Sequence, residues 1–204
     1  MGKKEDGEEN HHHHQHRRDN HRHQQQQQQG DPPLMALNHV SRLCRDVKKS
    51  VEFYTKVLGM VETERPQALD FEGAWLFNYG IGIHLVQAKD EARLPDIHQN
   101  LDPMDNHISF QCQDMEEMEK RLKQYNVKYM KRTMEDEDQN GTKIDQLFFD
   151  DPDGFMIEIC NCENVKLVPS DASLATAIKL PTDRHNPPLD TQNGTTNHSE
   201  PQNN

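Results

Sequence analysis

Residues 38–47 read NHVSRLCRDV, and residues 106–115 read NHISFQCQDM. Asn, His, a β-branched aliphatic, Ser, Cys and Asp recur in the same order, and Val47 matches Met115 as an apolar residue. The offset from His39 to His107 is 107 − 39 = 68 residues. A fixed offset of this length marks a duplicated structural module. Two copies packed around a pseudo-two-fold axis would bring two imidazoles to one place.

Around each copy the text has the same order. Over 37–44 the period-two pattern predicts a strand, with His39, Ser41 and Leu43 on one face and Val40, Arg42 and Cys44 on the other. Asp46 is placed to cap a helix with Val47, Val51, Tyr54, Val57 and Leu58 on one stripe, and Gly59 to stop it. Strands are predicted at about 60–64, 73–79 and 81–87, separated by Gly73 and Gly80. In the second copy a strand over 106–112 puts His107, Ser109 and Gln111 on one face. Asp114 then caps a helix with Met115, Met118, Leu122 and Tyr125 in a stripe. Strands at about 127–133, 144–150 and 154–160 follow, with the turn Asp151-Pro152-Asp153-Gly154 between the last two. The plan is βαβββ twice, an α+β fold. Its mixed, mostly antiparallel sheets would curl into a cup, one helix outside each, with His39 and His107 on the concave face.

The flanks read differently. Residues 1–33 hold seven histidines from His11 to His23, the run Gln24 to Gln29, and no large apolar residue beyond Met1. Such a stretch cannot offset the entropy of ordering, so a disordered tail is expected. Residues 167–204, with Pro169, Pro181, Pro187 and Pro188, are expected to be a second, mostly disordered tail with at most a short helix near Leu174–Leu180. Between them 34–166 make one domain, with modules at about 35–90 and 104–165 joined by the segment 88–103.

The net charge of −12 argues against nucleic acid as a partner. No apolar run approaches the ~20 residues of a membrane helix. The start has no signal-peptide pattern, and Asp6 stands where a myristoylation motif needs Ser or Thr. The expected location is the cytosol or nucleus, the cytoplasm being preferred, with the four cysteines as free thiols.

The last strand of each module carries one polar residue in an apolar run: His84 in IGIHLV and Glu158 in FMIEIC. A carboxylate in such surroundings is costly unless paired, and a cation is the simplest compensation. His39, His84, His107 and Glu158 offer imidazole nitrogen and carboxylate oxygen, which suit one divalent transition-metal ion. Three or four such ligands leave positions open for water or substrate, as a catalytic site requires. Cys44 and Cys112 also repeat, but on the opposite strand face, and read as small core residues. Cys160 and Cys162 form a C-x-C pair, a metal or redox pattern with no part in this set.

The text NHVSRLCRDVKKSVEFYTKVLGM (38–60), the turn text FFDDPDGFMIEI (148–159) and the paired modules resemble the vicinal oxygen chelate superfamily, and within it plant glyoxalase I-like proteins of the lactoylglutathione lyase family. The resemblance covers about 35–165. It implies the paired βαβββ cup and ligands in the order His, Glu, His, Glu from the first and last strands of each module. The matching positions are His39, His84, His107 and Glu158, so His84 stands where that enzyme has Glu. The fosfomycin-modifying thiol transferases use His, His, Glu, which His39, His107 and Glu158 satisfy.

The implied reaction isomerises a glutathione–methylglyoxal hemithioacetal to lactoylglutathione, with Glu158 as the proton-moving residue and Zn, Ni or Mn as the ion; Fe(II) also suits the set. Leu43 stands where the enzyme has an arginine for the glutathione carboxylate. Arg42 and Arg45, beside it, point to the other face. Other chemistry of the same cup, thiol transfer or dioxygenation, and a non-catalytic ligand-binding module are the alternatives. Relatives that pair two chains imply a homodimer.

Overall fold

The computed structural model describes residues 32–95, 100–136 and 141–180; the N-terminal tail expected over 1–33 lies almost wholly outside them. The first module runs β1 (His39–Cys44), α1 (Val47–Lys56), β2 (Val61–Thr63), β3 (Gly73–Asn78) and β4 (Ile81–Gln87). The second runs β5 (His107–Gln111), α2 (Met115–Gln124), β6 (Met130–Asp136), β7 (Thr142–Asp150) and β8 (Met156–Cys160). Each module forms its own four-stranded mixed sheet, in the order β1-β4-β3-β2 and β5-β8-β7-β6. The first and last strands of each module pair in parallel, and the other pairs are antiparallel.

The caps fall where short polar side chains stand ahead of apolar stripes. Asp46 accepts hydrogen bonds from the Lys48 and Lys49 amides, and Asp114 from that of Glu117. Past α1 the chain reverses at Gly59, whose φ of +71° favours a residue without a side chain. Arg121 of α2 donates through Nε to the Val57 carbonyl at 2.8 Å and also bonds the Lys56 carbonyl, closing the end of α1 from the other module. Beyond β8 a 3₁₀ turn spans Ala172–Ala177, overlapping the short helix expected near 174–180.

One apolar core joins both modules. It takes Cys44, Leu76, Ile83 and Leu85 from the first sheet, Leu147, Phe149, Ile157 and Ile159 from the second, and Tyr54 and Leu122 from the helices. The period-two reading of the strand faces therefore holds: Val40 and Cys44 pack on the core side, while His39 and Ser41 stay exposed on the other. Ile108 and Phe110 pack on the core, and His107, Ser109 and Gln111 are exposed. Burial pushes the Cys44 thiol up to about 12 and raises that of Cys112, so both behave as unreactive core residues.

A buried polar network ties α1 to the β7–β8 turn. Asp151 accepts from the Tyr54 hydroxyl at 2.7 Å and from the Asp153 and Phe155 amides at 2.9 Å. Burial lifts the Tyr54 hydroxyl well above its usual range, which keeps the proton that Tyr54 donates. Asp153 accepts from the Ser50 hydroxyl and the Arg45 amide, both at 2.7 Å.

A second charged cluster lies at the surface. Glu119 of α2 bonds Lys123 at 2.8 Å and Lys131 of β6 at 3.0 Å, and these cations hold its carboxyl down from 4.5 to about 2. A depressed carboxyl contributes stability above its ordinary value, and that contribution is lost as pH falls toward about 2. Glu119→Gln is expected to flatten the acid limb of thermal stability between about pH 4.5 and 2, read by calorimetry across that range.

Candidate metal centre

Glu158 sits mid-strand in β8, flanked in register by Ser109 of β5 and Phe148 of β7. It is only 6% exposed. Phe148, Met156 and Cys160 are buried beside it, outside the shared core. Its two oxygens have separate partners. Oε1 accepts from the Gln146 amide Nε2 at 2.5 Å, and Oε2 lies 3.3 Å from His107 Nε2. His107 Nδ1 bonds the Asp105 carbonyl at 2.8 Å, which fixes the ring and leaves Nε2 turned to the carboxylate.

His107 and Glu158 fit a divalent ion. Two ligand atoms about 2.1 Å from one tetrahedral ion stand roughly 3.4 Å apart, against the 3.3 Å seen here. Each already has the outer hydrogen bond that orients metal ligands, Asp105 for one and Gln146 for the other.

His39 and His84 form the other pair. Their rings stack at 4.0 Å with 14° between planes, and Trp75 stacks on the far side of His84 at 4.2 Å. His39 Nδ1 bonds Asn38 Oδ1 at 2.8 Å, leaving Nε2 open as a ligand atom. Burial, and secondarily His39, holds His84 below the usual imidazole range, so it stays neutral in the stack. Gly82 makes the stack possible: a Cβ there would meet His39 Cβ at 3.0 Å and His84 Nε2 at 3.4 Å.

The two pairs do not meet within the chain. Each lies on the sheet face turned away from the shared core, because residues on the opposite faces of the same strands fill that core. Among the described residues, Glu158, Cys160 and Cys162 are the one group of three His, Cys, Asp or Glu side chains whose ligand atoms lie close enough for one ion. The sequence reading expected His39 and His107 on one concave face, and strand phase could not reveal which face the partner module would cover. It also expected four free thiols, whereas Cys160 and Cys162 are joined by a disulfide and Cys44 and Cys112 are free. Adjacent strand-end positions bring those two sulfurs together.

Gln146 and Phe148 contact the His107–Glu158 pair, Trp75 and Gly82 border the His39–His84 pair, and all four escaped the sequence reading. For Trp75 a signal existed: it is the chain's single tryptophan, opposite His84 in the β3–β4 register. Arg42 and Arg45 are committed elsewhere: Arg42 lies on the β1 face opposite His39, and Arg45 lies past the end of the strand. The Arg42 guanidinium lies over the Phe155 ring at 4.6 Å, and Arg45 donates to the Asp153 and Pro95 carbonyls.

Residues 36–159 match the model of the Glyoxalase/Bleomycin resistance protein/Dioxygenase superfamily. A curated protein of Arabidopsis thaliana named "Glyoxylase I 4" is 51% identical over 142 residues, which cover 70% of this chain and 79% of that one. Similar solved structures include the genomically encoded fosfomycin resistance protein FosX of Listeria monocytogenes, with a TM-score of 0.49 and 19% identity over 63% of this chain and 91% of that one. An integron cassette protein of V. cholerae gives a TM-score of 0.46 and 25% identity over 64% of this chain and 97% of that one. No helix of the described residues is long and apolar enough to cross a membrane. With the family model covering the whole two-module region and half the aligned residues shared with the Arabidopsis protein, the chain belongs to the glyoxalase/bleomycin resistance protein/dioxygenase superfamily as a glyoxalase I-like member.

Proposed function

We propose that the chain is a metal-dependent lyase that isomerises the glutathione–methylglyoxal hemithioacetal to lactoylglutathione. The observation that carries this reading is the Glu158 carboxylate. It is nearly buried, held by Gln146 through one oxygen, and set beside His107 through the other. His39, His107 and Glu158, with His84 as fourth, would hold one divalent ion of the Zn, Ni or Mn class. When bound, that ion polarises the substrate oxygens and acidifies the neighbouring C–H. Glu158 takes the proton from the carbon bearing sulfur and returns it to the adjacent carbon. Gln146 keeps the carboxylate aimed, and Phe148, in edge contact with the His107 ring at 5.7 Å, keeps water from that side.

The active species is a homodimer in this reading. The His39–His84 face of one copy lies against the His107–Glu158 face of the other, which supplies the ligands a single chain keeps apart. The first module's face supports it, since Phe77 is 50% and Val61 57% exposed around Trp75. The cytoplasm, where glutathione is kept reduced, suits the substrate. Purified protein loaded with Ni(II), Zn(II) or Mn(II) should raise thioester absorbance when methylglyoxal and glutathione are mixed. Absence of turnover with all three ions would remove the assignment.

Leu43 leaves the substrate's carboxylates without a cation on the β1 site face. Leu43→Arg is expected to lower KM for the hemithioacetal about 10-fold through a charge-assisted hydrogen bond, with kcat little changed. Steady-state kinetics with the glutathione adduct would check this, and a KM that does not fall would place the carboxylates elsewhere.

A further inference from the structure

The C-x-C pair lies beside the proposed metal site without belonging to it. Cys160 is the last residue of β8, two positions past Glu158 and on the same strand face, and it is buried; Cys162 opens the following 3₁₀ turn and is half-buried. The Ser109 hydroxyl stands 3.6 Å from Cys160 Sγ. Ligand atoms of Glu158, Cys160 and Cys162 all lie within 4.8 Å of one another. In the disulfide the sulfurs have no thiolate lone pair to give an ion. Once the bond is opened, two thiolates and a carboxylate point to one place.

We propose that the Cys160–Cys162 disulfide is reversible, and that its reduction opens a second site, Cys160–Cys162–Glu158, for a soft divalent ion of the Zn(II) or Cd(II) class. The chemistry balances with a dithiol as reductant. Its thiolate attacks the more accessible Cys162 sulfur, the S–S bond breaks, and Cys160 leaves as thiolate. The second thiol of the reductant then attacks the mixed disulfide, releasing Cys162 and the cyclic disulfide of the reductant. A divalent ion displaces the two thiol protons on binding. Two thiolates on one tetrahedral ion stand roughly 3.8 Å apart, so the sulfurs need only a small rotation to leave a third position to Glu158.

The site matters because it shares a ligand. Glu158 cannot serve both His107 and the two thiolates, and thiolates draw soft ions more strongly than imidazole and carboxylate do. Disulfide formation leaves the carboxylate with His107, whereas reduction gives the ion a competing position on the thiolates. The site does not depend on the substrate assigned above, and its test does not use turnover.

Full-length protein, reduced and freed of reductant, should be titrated with Co(II) while thiolate-to-cobalt charge-transfer absorption is followed. That band reports sulfur ligands, so cobalt held by the seven N-terminal histidines does not contribute. The reduced chain is expected to develop the band, and the mildly oxidised chain to lack it. Alkylation of the oxidised form after unfolding in denaturant without reductant, followed by peptide mapping, should label Cys44 and Cys112 but not Cys160 and Cys162. Cys160→Ser/Cys162→Ser should lose the band, with circular dichroism showing the same fold. Glu158→Gln should keep the band but weaken Co(II) binding at least about 10-fold. The idea fails if the reduced chain gives no band, if the double serine variant retains it, or if all four cysteines are labelled after oxidation.

Discussion

Glu158→Gln is expected to lower kcat/KM by about 10³-fold or more, because it removes both the proposed proton carrier and one proposed anionic ligand. The side chain keeps its size, so thermal stability of the metal-free protein should change little. Gln146→Ala should cost less, about 10- to 100-fold, since it loosens Glu158 without removing it. If Glu158→Gln turned over at the parent's rate with metal loaded, Glu158 would have no part in the chemistry. A mixing experiment sharpens this. His39→Ala and Glu158→Gln chains are each expected to be inactive alone. In a mixed dimer with sites shared between copies, one of the two sites draws its His39 from the Glu158→Gln chain and its Glu158 from the other, and is intact. With half of the dimers mixed, about a quarter of the parent activity should return after subunit exchange. A mixture as inactive as its parts would mean that each chain builds its site alone.

Asp153→Ala is the second substitution with a large expected effect, and it acts on stability. Asp153 is 2% exposed and accepts from the Ser50 hydroxyl and the Arg45 amide. Its Oδ1 also stands 3.9 Å from the Arg45 guanidinium. Truncation leaves an amide and part of a cation without their acceptor and the buried hydroxyl with only its longer bond to the Asp46 carbonyl at 3.2 Å, a loss of about 3–5 kcal/mol. The melting temperature should fall on the order of 10 °C. Ser50→Ala, which removes one donor and strands only one carboxylate oxygen, should cost about 1–2 kcal/mol by denaturant titration. Equal effects of the two variants would mean that Arg45 contributes nothing to the network.

Much of this architecture could be read from the repeat. The recurrence at 38–47 and 106–115 placed both first strands, both caps and both helices, because side-chain alternation and capping chemistry are local. Strand β6 was displaced: the expected 127–133 is observed at Met130–Asp136. Val127 and Tyr129 do pack on the core, but ahead of the strand, and hairpin pairing with β7 carries the strand on through polar residues. Period two also told which side chains share a face; the candidates themselves came from the repeat, for His39 and His107, and from single polar residues in apolar runs, for His84 and Glu158. What covers each face is a long-range matter, set by how α1, α2 and both sheets share one core. For that reason the separation of the four candidate side chains into two pairs was not legible, and neither was Gln146, whose bond to Glu158 depends on a register across β7 and β8.

The hydroxyls of Ser50 and Tyr54 find their acceptors 103 and 97 residues further along the chain. During synthesis, the first module leaves the ribosome with the Tyr54 hydroxyl and its apolar back unanswered, and the Ser50 hydroxyl with only its bond to the Asp46 carbonyl, until the turn at 151–154 has emerged. The nascent first half therefore cannot complete its folding alone and is a natural client for chaperones, while a chain truncated before that turn should be cleared rather than accumulate.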